Sequence, residues 1–123
     1  MTQKMKKILI IEDDLLISSL VDFRLKKEGY ITKLVVDGNE GVEAIQEFIP
    51  DLIITDVMMP FKSGIELIHY AKKEFPDIPI IVLSSLGEEE GVVLEAFHLG
   101  VSDFIPKPFN PNELALRVKR VLN

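Results

Sequence analysis

The amino-acid sequence predicts an α/β fold, in which five parallel strands form one doubly wound sheet with helices on both faces. Short aliphatic runs alternate with helical stretches along the 123 residues of the chain. Most of these runs lack strict alternation of polar and apolar residues, which is typical of parallel strands covered on both faces. The regular succession of strands and helices favours a three-layer α/β/α arrangement.

Five short apolar runs are the predicted strands of this sheet. In chain order, they lie at residues 8–11, 31–36, 52–55, 78–83 and 104–105. The stretches between and after them have helical length, and the predicted helices span residues 15–28, 39–48, 64–74, 88–99 and 111–122. Each strand is thus followed by one helix, as the repeated βα units of a parallel sheet require.

Residues that commonly begin and end helices support these boundaries. Asp14 stands where its carboxylate can accept a hydrogen bond from the N–H of Leu16 or Ile17 and so cap the first helix. Other residues expected at helix starts are Ser63 with Glu66 as a capping box, and Asn110 followed by Pro111 and Glu113. The residues expected to end the first and fourth helices are Gly29 and Gly100.

Composition narrows the class of protein. Hydrophobic residues make up 47% of the chain and charged residues 28%, which indicates one globular domain over residues 1–123. The formal net charge of −6 disfavours direct binding to nucleic acid, and the absence of cysteine excludes disulfides and thiolate metal sites. The apolar run near the start is too short for a signal peptide, and no segment approaches a membrane span. We therefore expect a cytoplasmic domain that does not bind membranes.

Polar side chains follow most of the predicted strands. They are Glu12 and Asp13, then Asp56, then Ser84 and Ser85, and finally Lys107. The carboxyl ends of parallel strands meet at one edge of the sheet, where open α/β proteins bind their ligands. We therefore expect three carboxylates, a hydroxyl and an ammonium group to form one cluster.

Such a cluster fits the chemistry of phosphoryl transfer. Three carboxylates repel one another unless a cation or a proton intervenes. Mg²⁺ suits this position because it prefers hard oxygen ligands. A metal-supported carboxylate beside a lysine and a hydroxyl can attack phosphorus and form an aspartyl phosphate.

Four segments of the chain resemble the receiver domain of bacterial two-component response regulators. They are "ILIIEDD" at 8–14, "DLIITDVMMP" at 51–60, "PIIVLSS" at 79–85 and "DFIPKPF" at 103–109. The segments occur in the family's order, and the resemblance covers essentially the whole chain. It implies a flavodoxin-like sheet with the strand order 2-1-3-4-5.

The resemblance also implies a role for each residue of the cluster. Asp56 matches the phosphorylated aspartate, and Lys107, before a usually cis proline, matches the lysine that pairs with the phosphoryl group. Asp13 matches the direct Mg²⁺ ligand, while Glu12 more often acts through metal-bound water. The remaining matches are the carbonyl of Met58 as a metal ligand, Ser84 as the switch hydroxyl, Ser85 as a small filler or a second phosphate contact, and Phe104 as the switch aromatic or plain strand packing.

The function that this resemblance implies is a signalling module rather than a metabolic enzyme. A sensor histidine kinase or a phosphotransfer protein would phosphorylate Asp56 with Mg²⁺ bound. The surface of the fourth helix, fifth strand and fifth helix would then change and control an effector domain or a partner protein. Met58 and Leu86 occupy the positions that tune the phosphoryl lifetime in the family, and neither can orient a water, so we expect slow autodephosphorylation.

The sequence departs from the family at two places. Phe61 follows Pro60 where a glycine is common, and we interpret it as a partner contact. Arg117 and Asp103 match two charges of the dimer interface of winged-helix regulators, but Glu95 stands where a base is expected. We therefore expect a monomer or a phosphorylation-dependent dimer, without the full set of charge pairs. Residues 107–121 resemble the corresponding segment of the winged-helix regulators. This resemblance favours a receiver domain that was once joined to an effector domain.

Two alternatives with other chemistry are weaker. A dehalogenase-like phosphatase would need a second aspartate in its D-x-D motif, and Met58 stands there instead. A flavodoxin-like FMN carrier would need a loop rich in hydroxyl groups and glycine after the first strand, where this chain has acids.

Overall fold

The structure, a computed structural model, describes residues 5–57, 63–85 and 90–123. In chain order, the strands are β1 (Lys7–Ile11), β2 (Ile31–Val35), β3 (Leu52–Asp56), β4 (Ile80–Ser85) and β5 (Asp103–Lys107). The helices are α1 (Leu15–Lys27), α2 (Gly38–Phe48), α3 (Gly64–Glu74), α4 (Glu90–His98) and α5 (Pro111–Leu122). None of the helices within these residues is long and apolar enough to cross a membrane.

The five strands form one parallel sheet in the order β2-β1-β3-β4-β5. This order and the alternation of strands and helices confirm the predicted doubly wound, flavodoxin-like fold. In β1 the residues from Ile8 to Ile11 are all fully buried, because successive side chains point to opposite, covered faces of the sheet. Leu9 and Ile11 join the core beneath α2 and α3, whereas Ile8 and Ile10 join the core beneath α1 and α5.

The predicted helix caps are present. The Asp14 carboxylate accepts hydrogen bonds from the N–H groups of Leu16 at 3.0 Å and Ile17 at 3.4 Å. Ser63 and Glu66 form the reciprocal capping box at the start of α3. The predicted ends are also confirmed, since φ is +95° at Gly29 and +91° at Gly100, a conformation that favours glycine.

Several strand boundaries lie one or two residues from their predicted positions, and β4 differs from the prediction by two residues at each end. Ile78 belongs to the turn after α3, where its N–H bonds the carbonyl of Phe75, so β4 begins two residues later than predicted. At its other end β4 continues to Ser85, which pairs with Lys107 of a longer β5. The predicted start of α4 at residue 88 lies outside the described residues.

Helix α3 begins directly against the end of β3. The N–H of Gly64 donates to the carbonyl of Val57 at 2.8 Å. A Cβ atom at Gly64 would lie 2.2 Å from the carbonyl oxygen of Asp56 and 2.7 Å from the Cα of Val57. Glycine is therefore needed here for space, and the contact fixes the backbone that carries Asp56.

The substitution Gly64→Ala should lower the free energy of unfolding by about 2 kcal/mol or more, because backbone must move to admit the methyl group. The matched control is Gly91→Ala in α4, where an added Cβ meets no atom of the described residues within 4 Å. That variant should be neutral or gain up to about 1 kcal/mol from helix propensity. Urea unfolding measures both, and an equally stable Gly64→Ala variant would contradict the close packing.

Candidate functional site

The three acidic residues after β1 differ in how far they are buried. Glu12 is fully buried, and its Oε2 accepts a hydrogen bond from the N–H of Asp14 at 3.1 Å. Asp13 is exposed at the carboxyl end of the sheet, while Asp14 caps α1. One short segment therefore supplies an inner carboxylate, an outer carboxylate and a helix cap.

Asp56, the last residue of β3, holds its carboxylate in a fixed orientation. The side chain is almost fully buried, and its Oδ1 accepts a hydrogen bond from the N–H of Val57 at 2.7 Å. Oδ2 accepts from the ammonium of Lys107 at 2.9 Å. The backbone is held as well, because the hydroxyl of Thr55 donates to the carbonyl of Asp56 at 2.9 Å.

Lys107, at the end of β5, joins the two buried carboxylates. Its Nζ lies 2.6 Å from Glu12 Oε1 and 2.9 Å from Asp56 Oδ2, and only 11% of its side chain is exposed. The Lys107–Pro108 peptide bond is cis, as predicted. Strands β1, β3 and β5 thus each contribute one charged group to the same contact.

Burial and neighbouring charges set the ionisation of this contact. Burial raises the pKa of Glu12 from 4.5 to about 7, against the ammonium of Lys107 and the N–H of Asp14, which lower it. Burial on its own favours the neutral amine of Lys107, but the neighbouring carboxylates of Glu12 and Asp56 outweigh it and raise the pKa of this lysine. Each partner therefore supports the charged form of the other.

The site can hold a metal ion. One carboxylate oxygen from each of Glu12, Asp13 and Asp56 lies within 4.8 Å of the others. Among the described residues, the three carboxylates of this cluster face one ammonium group, so these groups together carry an excess of negative charge when ionised. In addition, Glu12 Oε1 is buried and receives no hydrogen bond of good geometry from the described residues, although the ammonium is close. These features suit a hard cation with several oxygen ligands.

The predicted hydroxyl groups lie at the same edge. Asp56 pairs with Leu83 of β4, so the next residue, Ser84, extends just beyond it on the neighbouring strand. Ser84 is half-buried, whereas Ser85 is exposed. The structure therefore brings Glu12, Asp13, Asp56 and Lys107 together and places both serines on the adjoining strand. Three positions singled out in the sequence, Met58, Phe61 and Leu86, lie outside the described residues.

Phe104 is half-buried on β5 and is covered by α4. Its ring centroid lies 4.3 Å from that of Phe97, and 53% of Phe97 is exposed. Arg117 of α5 donates to the carbonyl of Phe104 at 3.0 Å and to Asp103 at 2.9 Å. Two charges expected at a dimer interface are therefore paired within the chain, around the backbone of the candidate switch residue.

An apolar stripe on α1 was not predicted from the sequence. Leu16, Leu20 and Phe23 are 84%, 46% and 70% exposed, on the face opposite the buried Val21 and Leu25. The spacing i, i+4 and i+7 places all three on one stripe. The sequence did contain an indication of this stripe, because α1 has apolar residues on both of its faces. The stripe leads to a cavity of about 380 Å³, whose lining residues are Ile17, Leu20, Ser85, Lys107, Pro108 and Phe109.

A comparison with known proteins identifies the family to which this chain belongs. The model of the response regulator receiver domain matches residues 8–119. The chain therefore belongs to the response regulator receiver domain family. This membership favours the receiver interpretation over the phosphatase and FMN-carrier alternatives.

Solved structures agree with this assignment. A putative response regulator from Chloroflexus aurantiacus J-10-fl is 30% identical with a TM-score of 0.88, and the match covers 97% of this chain and 98% of that one. A CheY-like receiver domain protein from Methanospirillum hungatei JF-1 is 28% identical with a TM-score of 0.92, covering 97% and 94%. NtrX from Brucella abortus is 30% identical with a TM-score of 0.89; the match covers 97% of this chain but 27% of NtrX.

Removing the ammonium group should destabilise the metal-free protein. Lys107→Met leaves two buried carboxylates without a cation, which should lower the free energy of unfolding by about 3 kcal/mol near pH 8. The folded-state pKa of Glu12, about 7, lies above its ordinary value of 4.5, so folding favours its protonated form. The difference in the free energy of unfolding between the wild type and Lys107→Met should therefore shrink as the pH falls towards about 6.

The matched control is Lys26→Met, which removes an exposed ion pair with Asp22. It should cost less than about 0.5 kcal/mol at either pH. Urea unfolding in the presence of a chelator measures both variants. Equal losses for the two lysines would show that the buried contact has no special role in stability.

Proposed function

We propose that this chain is a phosphorylation-dependent signalling switch that accepts a phosphoryl group on Asp56 from a sensor histidine kinase or a phosphotransfer protein. The observation that carries the proposal is the fixed Asp56 carboxylate beside Lys107 and two further acids at the carboxyl edge of the sheet. The family match over residues 8–119 supports one receiver domain over residues 1–123. We expect it to act in the cytoplasm.

The transfer uses groups whose positions are described. One carboxylate oxygen of Asp56 forms the new P–O bond while the donor's P–N bond breaks, and the bonding electron pair returns to the imidazole nitrogen. Val57 N–H and Lys107 hold the two oxygens of the Asp56 carboxylate before the transfer. Afterwards Lys107 and Ser84 contact the phosphoryl oxygens, with Ser85 as a further candidate. Positioning and charge stabilisation are the main contributions a protein makes to this reaction.

Mg²⁺ is the cofactor that this site fits. Asp13 and Asp56 would bind it directly, Glu12 would act directly or through a bound water, and the carbonyl of Met58 would complete the protein ligands. When bound, the ion supplies positive charge against the phosphoryl oxygens and the three carboxylates. The excess of carboxylates over ammonium groups and the poorly satisfied Glu12 Oε1 support this assignment.

The output is a change at the surface of α4, β5 and α5. Ser84 moves towards the phosphoryl group, and Phe104 changes its packing against Phe97 and the carbonyl contact of Arg117. Phosphorylation shifts the equilibrium between two conformations by its differential contacts with them. The altered surface then controls an effector domain or a partner protein, with the chain as a monomer or a phosphorylation-dependent dimer.

The apolar stripe on α1 supports a protein as the phosphoryl donor. Leu16, Leu20 and Phe23 have no role in the core, and the cavity beside them reaches Lys107 itself. A protein that brings a phosphohistidine to Asp56 must cover the surface around this edge. Because exposed apolar patches commonly mark interaction sites, we assign the stripe to that donor.

Incubation of the protein with acetyl phosphate and Mg²⁺ should add the mass of one phosphoryl group, because a small donor needs only the site itself. Intact-mass spectrometry measures the gain. Asp56→Asn should abolish it, whereas Asp14→Asn, at the helix cap, should retain it. No gain of mass in the wild-type protein would refute the proposed function.

The phosphorylated protein should keep the added mass for minutes or longer after acetyl phosphate is removed in the presence of Mg²⁺. Met58 and Leu86 offer no side-chain hydrogen bond to orient an attacking water. The same mass measurement, repeated over time, gives the lifetime. Loss of the phosphoryl group within seconds would contradict this expectation.

Two of the three acidic residues after β1 should have separate roles, with Asp13 binding Mg²⁺ and Asp14 stabilising α1. Asp13→Ala should weaken Mg²⁺ binding by about tenfold or more, because a ligand oxygen is lost. Asp14→Ala should leave Mg²⁺ affinity nearly unchanged and lower the free energy of unfolding by about 1 kcal/mol, because α1 loses its cap. Calorimetric titration and urea unfolding separate the two effects, and equal losses of affinity would overturn the division.

A further inference from the structure

Thr55 carries a buried hydroxyl group that takes no part in the transfer described above. The residue is fully buried in β3 and pairs with Ile11 of β1 and Val82 of β4, both of which belong to the aliphatic core. A valine would fill the same space, and a hydroxyl buried among aliphatic side chains costs stability unless it forms a hydrogen bond. The hydrogen bond that Thr55 forms therefore indicates what its hydroxyl does.

The hydroxyl acts on one peptide group, the group that joins Asp56 to Val57. Thr55 Oγ1 donates to the carbonyl oxygen of this group at 2.9 Å. The N–H of the same group donates to Oδ1 of Asp56 at 2.7 Å. Because a peptide group is a rigid plane, a bond that orients its carbonyl also orients its N–H. The Thr55 hydroxyl is thereby connected to the Asp56 carboxylate through two hydrogen bonds and one rigid group.

We propose that Thr55 is a positioning residue for phosphoryl transfer, which orients the Asp56 carboxylate through the peptide group between Asp56 and Val57. This inference rests on the proposed function, since it concerns the same phosphoryl acceptor. Thr55 does not itself touch the phosphoryl group. It acts by fixing the plane of the carboxylate before the donor arrives.

The packing around this peptide group makes its orientation sensitive to the hydroxyl. A Cβ atom at Gly64 would lie 2.2 Å from the carbonyl oxygen of Asp56, so the start of α3 approaches that oxygen closely. A valine at position 55 would remove a hydrogen-bond donor from the same oxygen. Because a carbonyl that loses a donor away from water is costly, the peptide plane should turn towards another partner. Such a turn would move the N–H of Val57 away from Asp56 Oδ1.

The orientation of the carboxylate matters for the rate of transfer. Val57 N–H and Lys107 hold the two oxygens of Asp56, so the plane of the carboxylate is set from both sides. Attack on phosphorus needs one oxygen roughly in line with the breaking P–N bond, and a small misplacement lowers the rate. Hydrogen bonds in a chain also polarise one another, so a donor on the carbonyl strengthens the N–H as a donor to Oδ1.

The test is the rate constant of labelling by acetyl phosphate at saturating Mg²⁺, measured by intact mass. Thr55→Val removes the hydroxyl and keeps the shape of the side chain, and it should lower the rate constant about fivefold or more. Thr55→Ser keeps the hydroxyl and should label within about twofold of the wild type. A Thr55→Val variant that is labelled as fast as the wild type would overturn the proposal.

The matched control is Thr32→Val, which makes the same chemical change at the other end of the sheet. Thr32 lies on β2 beside Ile8 of β1, and its hydroxyl donates to Asp22 of α1. This variant should be labelled at the rate of the wild type. Equal losses of rate in the two valine variants would show that the Thr55 hydroxyl contributes only to stability, and would overturn the proposal.

Nuclear magnetic resonance tests the orientation of the peptide group without any phosphoryl donor. The amide proton of Val57, which forms a short bond to a carboxylate, should resonate downfield in the wild type and move upfield in Thr55→Val but not in Thr32→Val. An unchanged Val57 resonance in folded Thr55→Val would overturn the proposal. If Thr55→Val does not fold, the hydroxyl proton of Thr55 in the wild type decides. It should exchange slowly with solvent because it is buried and bonded, and a fast exchange would overturn the proposal.

The two experiments separate this inference from the proposed function. If the wild type gains no phosphoryl group but the Val57 resonance moves in Thr55→Val, the proposed function fails and the orientation of Asp56 by Thr55 stands. If the wild type and Thr55→Val are labelled at the same rate, the positioning role alone fails.

Discussion

The ion pairs of Lys107 with Glu12 and Asp56 are the interaction on which the functional edge depends. The parallel sheet delivers the ends of β1, β3 and β5 to one place, and two of the acids that it delivers are buried. Buried carboxylates are costly unless a cation accompanies them. Lys107, at the end of β5, supplies that cation from within the chain. Three carboxylates lie beside this one ammonium group among the described residues, so the cluster can also accept a metal ion.

The surrounding fold holds this contact in place through small, specific features. Gly64 lets α3 begin against the backbone of Asp56 and Val57, where any side chain would collide. Asp14 caps α1 and, through its N–H, also fixes the Glu12 carboxylate. On the far side, Arg117 ties α5 to the backbone of Phe104. Helices α1, α3 and α5 are thereby each attached to a strand that contributes to the site or to the segment that follows it.

Much of this organisation could be predicted from the sequence, because strand ends in a parallel sheet converge whatever the details of packing. The fold and the cluster of acids and lysine followed from that rule and from the family resemblance. The caps at Asp14 and Ser63 followed from the residue types that begin helices. The unequal burial of Glu12 and Asp13 did not, because alternation along a strand is lost where the strand ends. The stripe at Leu16, Leu20 and Phe23 was missed since apolar residues on both faces of α1 look like core. The start of β4 was misplaced because Ile78 is apolar but lies in a turn.

The most direct test of this account is a structure of the protein with Mg²⁺ and beryllium trifluoride, which mimics a phosphoryl group on a carboxylate. We predict the adduct on Asp56, with Lys107 Nζ in hydrogen-bond contact with a fluorine atom. An adduct on another carboxylate, or a Lys107 without contact to the fluorine atoms, would contradict the proposed role of this edge.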